Sequence, residues 1–466
     1  MKALRPLALV LAALLALPAP GLAARMRSAA PPASLGALDV IALEICYTTV
    51  LARYYAPVEP GSLVEGARTG IVAYLNSLGI ADPKIPAPSP HPDRYRAENE
   101  IDRDVALAVA RYGARIHTDE LVAKTIEGEL AALHDPYTML FRPAAFKKFV
   151  GFLDGRPSAG IGAELDVDPA THAVRVVDVF PGGAAEAAGL TAGDVITEIN
   201  GNPPASTPDA VAASLHGAPG STVRIAFTRD DVAQPPLAIV RRLGTPPDVT
   251  GRVLSGGIGY LRLRAFGAQS PQQLDAALTK LQTTKPRAYI LDLRADGGGY
   301  RDAAIAIASH FVRGTVVTTQ ERTGKPTVFT AKTETPLLAA PLAVLVDGDT
   351  ASAAEIVAAA IQDQHAGTLI GARTFGKGLV QETFALPDGG AIKMTTARYL
   401  TPAGRDIDKV GITPDVVVTQ PPNAHPGEPG HDTQLDRALT VLASTTPSPS
   451  LAPRLPSRAK LAAKLR

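Results

Sequence analysis

The sequence predicts a multidomain α/β protein with a helical N-terminal region, a small β-rich module and a layered α/β core. The chain of 466 residues is too long for one ordinary domain, and its apolar fraction of 46% is ample for buried cores. The hydrophobic pattern also changes twice along the chain. Helical spacing gives way to short strand-like runs, and these give way to strands that alternate with helices.

The first 24 residues have the pattern of a secretory signal peptide. Lys2 and Arg5 precede an apolar run at 7–17, and small residues end the segment at 21–24. The run is shorter than the roughly 18 residues that cross a bilayer. We therefore expect export, cleavage after residue 23 or 24, and a periplasmic or otherwise extracytoplasmic mature chain without a stable membrane span. An uncleaved anchor is the alternative.

Charge and motif content argue against several classes of partner and site. The 46 basic and 45 acidic residues nearly cancel, so electrostatics favours no nucleic-acid partner. Cys46 is the single cysteine and is expected to be a small buried hydrophobe. The nine histidines lack metal-ligand spacing, and no phosphate-binding loop, zinc motif or Gly-x-Ser-x-Gly motif occurs. We expect no metal and no cofactor.

Residues 35–150 are predicted to be helical. A leucine–glycine–leucine spacing occurs there twice, at Leu63, Gly70, Leu75 and at Leu121, Gly128, Leu133. The repeat suggests a duplicated helical hairpin, although amphipathic helices repeat leucines in any case.

Three further regions follow along the chain. Residues 155–242 contain strand-like runs separated by Gly and Pro, which predict the β-rich module. Residues 248–420 alternate between strands and helices, which predicts the α/β core. Residues 421–466 are expected to form a linker, a short helix and a flexible Ser/Pro-rich tail.

Ser352 is a candidate nucleophile because it follows a buried strand and opens a helix. The strand is predicted at 342–346 and the helix at about 351–362. A serine at this place lies among unpaired backbone N–H groups, where the Ala353 N–H is positioned to stabilise an oxyanion. The alternative, commoner for a serine at this place, is that Ser352 or Thr350 only caps the helix.

Lys377 is a candidate general base, flanked by Gly376 and Gly378 in a predicted apolar strand. Burial lowers the pKa of a lysine, and a neutral amine can accept the proton of a serine. Gln381 would share a strand face with Lys377, but a straight strand separates them by about 13 Å. Contact would then need a bend at Gly378 or the reach of both side chains. The alternative is a buried lysine paired with a carboxylate.

Four segments, taken in order, resemble the carboxyl-terminal processing (tail-specific) proteases over roughly residues 40–442. These segments are 160–163 with 181–196, then 291–299, then 352–356, and finally 374–381 with 395–399, 401–405 and 411–415. A series in one order is far more specific than any single segment. The resemblance implies a crotonase/ClpP-like α/β protease core that cleaves exported proteins near their C-termini.

The resemblance also implies roles for individual residues. Ser352 would be the nucleophile, Lys377 the general base, and Gln381 the residue that orients the lysine. The oxyanion hole would combine the Ala353 N–H with a backbone N–H near Gly298 or Gly299. The chain departs from the family pattern at three places: Thr350 and Ala354 replace common serines, and Gly297 replaces a usual proline. The last change leaves the choice between Gly298 and Gly299 open.

Residues 155–242 resemble a PDZ domain, which binds an extended C-terminal peptide as an added strand. The residues expected to bind this peptide are Gly160, Ile161, Gly162, Val211 and Leu215. The alternative for the three apolar side chains is core packing. Polypeptide C-termini are the expected partners, and relatives suggest a homodimer through the N-terminal helices. By the same analogy, tail binding is expected to move the module and complete the active site.

Two other functions stay open at this point. One is a catalytically idle PDZ adaptor or assembly protein that presents C-terminal peptides, and the other is a non-proteolytic acyl-binding relative. The joint presence of Ser352, Lys377 and Gln381 disfavours the adaptor, whereas the acyl-binding relative would be recognised by a lack of peptide turnover.

Overall fold

The structure is a computed structural model that describes residues 35–155, 157–168, 171–335, 337–338, 340–421, 424 and 426–444. The predicted signal peptide and residues 445–466 of the predicted tail lie outside this range. The chain divides into two compact units. The first unit comprises the chain up to Phe146 together with Gln381–Thr396, and the second comprises Lys147–Val380 and the chain from Ala397 onward.

Helices occur in both units. They are α1 (Ala37–Arg53), α2 (Pro60–Ser77), α3 (Arg94–Tyr112), α4 (Thr118–Ala131), α5 (Pro143–Leu153), α6 (Ala184–Ala188), α7 (Pro208–Leu215), α8 (Ser270–Gln282), α9 (Arg301–Ala308), α10 (Ala353–Asp363) and α11 (Thr433–Ser444).

Strands begin after the first four helices. They are β1 (Met139–Phe141), β2 (Ser158–Gly160), β3 (Ala163–Val167), β4 (Val174–Val179), β5 (Val195–Ile199), β6 (Thr222–Arg229), β7 (Val232–Ala233), β8 (Leu237–Val240), β9 (Arg242–Gly244), β10 (Val249–Leu254), β11 (Ile258–Leu263), β12 (Ala288–Asp292), β13 (Thr315–Glu321), β14 (Thr327–Thr330), β15 (Leu342–Val346), β16 (Thr368–Gly371), β17 (Leu379–Ala385), β18 (Ala391–Leu400) and β19 (Val416–Val417).

The first unit is built on α1–α4, whose apolar faces share one core. Helices α2 and α4 approach most closely at glycines. A Cβ on Gly70 would lie 2.0 Å from the Lys124 carbonyl oxygen, and a Cβ on Gly128 would lie 2.2 Å from that of Gly66. The two glycines of the predicted repeat therefore mark a close approach of the two helices that no larger residue permits.

The β-rich module lies in the second unit and has its own core. Its sheet has the strand order β3-β4-β5-β6-β7, with β8 paired to β6. Strand β3 is thus an edge strand, and α7 contacts it. An edge strand exposes unpaired backbone groups, which makes it a template for an added strand.

The α/β core of the second unit is a sheet with the order β10-β11-β12-β15-β16-β19. Strands β11, β12, β15 and β16 are parallel to one another. One face packs on α8, α9 and α10, and the other packs on α11. Strand β15 is buried on both faces, as expected for a parallel strand covered by helices. The predicted multidomain α/β class is confirmed.

Two local predictions are corrected by the structure. Helix α10 begins at Ala353, so Ser352 is the residue that precedes the helix. Lys377 does not lie inside a strand, because β17 begins only at Leu379. Gly376 has a left-handed φ of 86°, which an extended strand does not accommodate. Among the described residues, no helix is both long and apolar enough to cross a membrane.

Candidate active site

The turn between β15 and α10 carries Ser352 and is attached to the loop that follows β12. Buried Thr350 donates a hydrogen bond from its hydroxyl to the Leu293 carbonyl (2.9 Å). The Ala351 N–H donates to the carbonyl of Asp296 (2.9 Å). Because both strands are parallel neighbours, their carboxyl ends bring these two loops together.

Ser352 itself has an unusual backbone conformation. Its φ of 56° and ψ of −115° lie outside the regions that side-chain-bearing residues favour. Such a conformation costs about 1–3 kcal/mol and persists only where the surroundings enforce it. The same serine does start a helix, so the capping alternative describes its position but does not account for the strain.

Gly298 packs directly against this strained residue. A Cβ on Gly298 would lie 2.9 Å from the Ser352 Cβ and 2.8 Å from the backbone nitrogen of Ala353. Gly298 also has a left-handed φ of 93°. Only glycine fits, so the glycine loop, residues 297–299, and the start of α10 form one surface beside Ser352.

The backbone N–H groups near Ser352 differ in whether they already donate a hydrogen bond. The Gly298 N–H donates to the Asp296 Oδ1 (2.8 Å) and is therefore already paired. The bridge to Phe266 uses the Gly298 carbonyl and the Tyr300 N–H, so it does not engage the Gly299 N–H. The Ala353 N–H, at the first position of α10, has no acceptor within its own helix.

Glu355 connects the serine to the lysine segment. Its side chain is fully buried, and its Oε2 accepts the N–H groups of both Ser352 (2.9 Å) and Lys377 (2.8 Å). Its Oε1 accepts the Thr374 hydroxyl (2.5 Å) and the Gly376 N–H (2.8 Å). The structure therefore brings the backbones of Ser352 and Lys377 to one carboxylate oxygen, although 25 positions separate them in the chain.

The glycines that flank Lys377 have a packing role. A Cβ on Gly376 would lie 2.7 Å from the Gly411 nitrogen, and one on Gly378 would lie 2.6 Å from the Asp408 nitrogen. As predicted, these two glycines allow another backbone to approach, and that backbone is the segment 407–411. Lys377 is half-buried between these two contacts.

An ion-pair network supports the loop that leads to Gly298. Arg294 donates to Asp292 (2.6 Å) and to Asp432 (2.7 Å), and all three side chains are buried. Tyr260 adds a hydroxyl donor to Asp292 (2.6 Å). The adjacent Arg294 guanidinium holds the pKa of the Asp292 carboxyl below its usual range, even though burial alone would raise it. The carboxylate thus stays charged and keeps the start of the loop in place.

Gln381 lies on β17 and belongs to the first unit. Its side-chain Nε2 donates to the Thr395 hydroxyl (3.4 Å), and that hydroxyl donates to the Asp135 Oδ2 (2.6 Å). Asp135 also accepts the Thr138 hydroxyl (2.7 Å). The amide of Gln381 is therefore oriented by residues of its own unit.

All five residues predicted to bind a peptide line one groove of about 760 Å³ in the second unit. The groove lies along edge strand β3 and helix α7, and residues of β10 and α8 complete it. Ile161, Val211 and Leu215 are also members of the module core. These three side chains therefore pack inward and also border the groove. The remaining predicted residues at this groove are Gly160 and Gly162.

Sequence reasoning assigned no role to Glu355, Asp296 or Tyr399. Tyr399 donates from its hydroxyl to the Ser352 carbonyl (3.2 Å). The signal for Glu355 was present as a glutamate three positions after a serine at a helix start, which is the capping-box spacing. No local pattern marks Tyr399, because its partner Ser352 lies 47 positions away. Asp296 has a nearby partner in Gly298, but its link to Ala351 joins segments that are distant in the chain.

Comparisons with known proteins agree with this architecture. The model of peptidase family S41 matches residues 257–418, and a PDZ domain model matches residues 175–229. A carboxyl-terminal-processing protease of Picosynechococcus sp. is 38% identical over 308 residues, which are 63% of this chain and 72% of that protein. A carboxy-terminal-processing protease of Bartonella bacilliformis is 36% identical over 310 residues, 65% of this chain and 70% of that protein.

A likeness to a solved structure bears on the fold and not on the function. A Bacteroides fragilis protein assigned to the S41 proteases superimposes with a TM-score of 0.52 at 19% identity. The match covers 68% of this chain and 88% of that one.

Proposed function

This chain belongs to the carboxyl-terminal-processing proteases, serine peptidases of family S41, and on that premise we propose that Ser352 and Lys377 are its catalytic residues. The observation that carries this proposal is the Glu355 oxygen that accepts the N–H groups of both residues. The strained backbone of Ser352 and the carboxylate oxygen that it shares with the Lys377 segment support the pairing of a nucleophile with its base.

The proposed reaction passes through an acyl-enzyme. The neutral amine of Lys377 accepts the proton of the Ser352 hydroxyl as Oγ attacks the peptide carbonyl. The resulting oxyanion accepts hydrogen bonds from the Ala353 N–H and, in our assignment, from the Gly299 N–H. Gly299 is preferred to Gly298 because the Gly298 N–H already donates to Asp296. The lysine returns its proton to the leaving amine, and water then releases the acyl group with Lys377 again as the base.

Gln381 is proposed to orient the lysine, as the family resemblance implies. The contacts that support this role lie within the first unit, where Thr395 binds the amide of Gln381 and is itself bound to Asp135. The Thr395 hydroxyl uses its only hydrogen for Asp135, so it can only accept from the amide nitrogen of Gln381.

We further propose that the β-rich module, residues 155–242, binds the C-terminal tail of the substrate. Three features support this. Strand β3 is an edge strand, the apolar Val211 and Leu215 line the groove beside it, and the segment 160–162 lines the same groove. A tail could add to β3 as a strand while its carboxylate is held by backbone N–H groups. The substrates would be exported polypeptides, because residues 1–24 have the pattern of a signal peptide.

Substitution of the two proposed catalytic residues tests the reaction. Ser352→Ala and Lys377→Ala should each lower kcat for a tailed polypeptide by at least about a thousandfold, since one removes the nucleophile and the other the base. Chain cleavage followed by mass spectrometry measures this. The control is Lys325→Ala, an exposed lysine of the same unit, which should keep the activity of the parent chain.

A fluorophosphonate probe distinguishes the peptidase from an idle tail-binding adaptor. The peptidase should label at Ser352 and lose labelling in Ser352→Ala. Equal cleavage by the parent chain and Ser352→Ala would refute the mechanism.

A further inference from the structure

Asp296 is a buried acid that the reaction above does not use. Its side chain is 0% exposed, and it lies two positions before Gly298. Its Oδ1 accepts the Gly298 N–H (2.8 Å), whereas its Oδ2 is buried without a hydrogen-bond partner among the described residues. A buried carboxyl with an orphaned oxygen is costly, so its retention calls for an explanation.

The same residue is attached to both sides of the nucleophile. Its main-chain carbonyl accepts the Ala351 N–H (2.9 Å), one position before Ser352. Its side chain holds Gly298, which lies against the Ser352 Cβ and the Ala353 nitrogen. Asp296 therefore sets the distance between the glycine loop and the start of α10, where the oxyanion donors lie.

We propose that Asp296 is a positioning residue of the oxyanion hole, which turns the Gly298 N–H away from the reacting carbonyl and so leaves the Gly299 and Ala353 N–H groups to bind the oxyanion. This inference rests on the proposed function. Without the carboxyl, the Gly298 N–H is left without its acceptor, and the loop is free to rotate away from the geometry that the oxyanion needs.

The charge surroundings of Asp296 give the proposal a pH signature. Burial raises the pKa of its carboxyl well above the usual range. Asp248 and Asp347 raise it further, whereas the Gly298 N–H and Arg262 lower it. The neutral form is therefore favoured in the folded protein, and ionisation at higher pH places a negative charge behind the loop. That charge repels the oxyanion, so kcat should fall as the pH rises through the pKa of this group.

Two substitutions separate positioning from ionisation. Asp296→Ala removes the acceptor and should lower kcat by about 10- to 1000-fold while KM changes less than about threefold, as for the loss of an oxyanion contact. Asp296→Asn keeps an oxygen for the Gly298 N–H but cannot ionise. It should retain kcat within about threefold at neutral pH, and it should lose the alkaline decline of the parent chain.

The control is Asp415→Asn. Asp415 also accepts a backbone N–H, that of Leu369 (2.8 Å), but it does not contact the glycine loop. This variant should keep both the kcat and the pH profile of the parent chain. Circular dichroism and thermal melting of each variant report whether it folds.

The outcomes are distinguishable. The inference is overturned if folded Asp296→Ala has the kcat of the parent chain, or if the pH profiles of Asp296→Asn and the parent chain coincide. If Asp296→Ala does not fold, the pH profile of Asp296→Asn alone decides. Failure of the proposed function would instead appear as cleavage that does not depend on Ser352, whatever the residue at position 296.

Discussion

At the scale of single residues, a hydrogen bond in the candidate site stabilises the strained backbone of Ser352. Ser352 has a φ of 56°, and the Glu355 carboxylate accepts its N–H. A hydrogen bond to a charged acceptor contributes about 1.5–3 kcal/mol, which is the same order as the cost of the strained backbone. One buried side chain thus stabilises Ser352 in a conformation that it would not adopt alone.

Replacement of Glu355 by glutamine should uncouple the serine from the lysine segment. One of the two carboxylate oxygens becomes an NH₂ donor that faces the N–H groups now bound to it. We expect Glu355→Gln to lower kcat by about 10- to 100-fold and the free energy of unfolding by about 1–3 kcal/mol, because buried donors lose their acceptor. Steady-state kinetics and urea unfolding measure the two effects.

The matched control is Glu334→Gln, which changes an exposed glutamate of the same unit. It should leave both quantities within error. A Glu355→Gln enzyme with unchanged kcat would show that the shared carboxylate does not hold the site.

At the scale of elements, backbone contacts decide where small residues are required. Helices α2 and α4 approach so closely that a methyl group at Gly70 or Gly128 would overlap a carbonyl oxygen of the other helix. The same rule operates at Gly376 and Gly378, which flank Lys377 and lie against the 407–411 segment. Glycine in these places permits the approach of two backbones, at the cost of a more flexible unfolded chain.

Gly128→Ala should therefore destabilise the helical unit. The added Cβ would lie 2.2 Å from the Gly66 carbonyl oxygen, so the helices must separate. We expect the free energy of unfolding to fall by about 1–3 kcal/mol, measured by urea unfolding followed by circular dichroism.

Gly113→Ala provides the control in the same unit. No atom lies within 4 Å of a Cβ at Gly113, and its φ of −51° suits alanine. This change should leave stability unchanged or raise it by about 0.4–1 kcal/mol. Equal losses in both variants would contradict the close approach of α2 and α4.

At the scale of the whole molecule, the second unit contains both the groove along β3, which we propose to bind the substrate tail, and the proposed Ser–Lys site. Strand β3 has two faces: Leu165 borders the groove, while its neighbour Glu164 accepts a hydrogen bond from Arg262 (3.0 Å). Arg262 is also 3.4 Å from Asp292, just before the glycine loop. The strand that would receive a tail is therefore linked through charged side chains to the core.

Amidation of the substrate C-terminus tests this role of the groove. A free carboxylate can accept several backbone N–H groups, and its loss should raise KM by about tenfold or more, equivalent to about 1.4 kcal/mol. The value of kcat should change much less, because the scissile bond is unaltered. KM and kcat are measured for the free-acid and amide forms of one polypeptide. The control is a form of that polypeptide in which only internal residues are changed. Equal KM values for the two forms would exclude tail recognition by its carboxylate.

Much of the candidate site could be predicted from local sequence. The buried strand before Ser352, the helix after it and the glycines around Lys377 are all features of short segments, and the structure contains each of them within a few residues. The errors were also local. Lys377 was predicted in a strand because its neighbours are apolar, but the left-handed Gly376 and the packing of 407–411 hold it in a loop.

The sequence by itself determined the residue types, the order of the segments and the hydrophobic periods, and these were enough for the α/β class and the two candidate catalytic residues. The tertiary structure alone decided that Glu355 joins Ser352 to Lys377, and that the Asp296 carbonyl binds the Ala351 N–H just before α10. The physical reason is that hydrogen bonds and desolvation act between atoms close in space. Periodicity reports only on neighbours along the chain, whereas these partners meet because parallel strands end at one edge of a sheet.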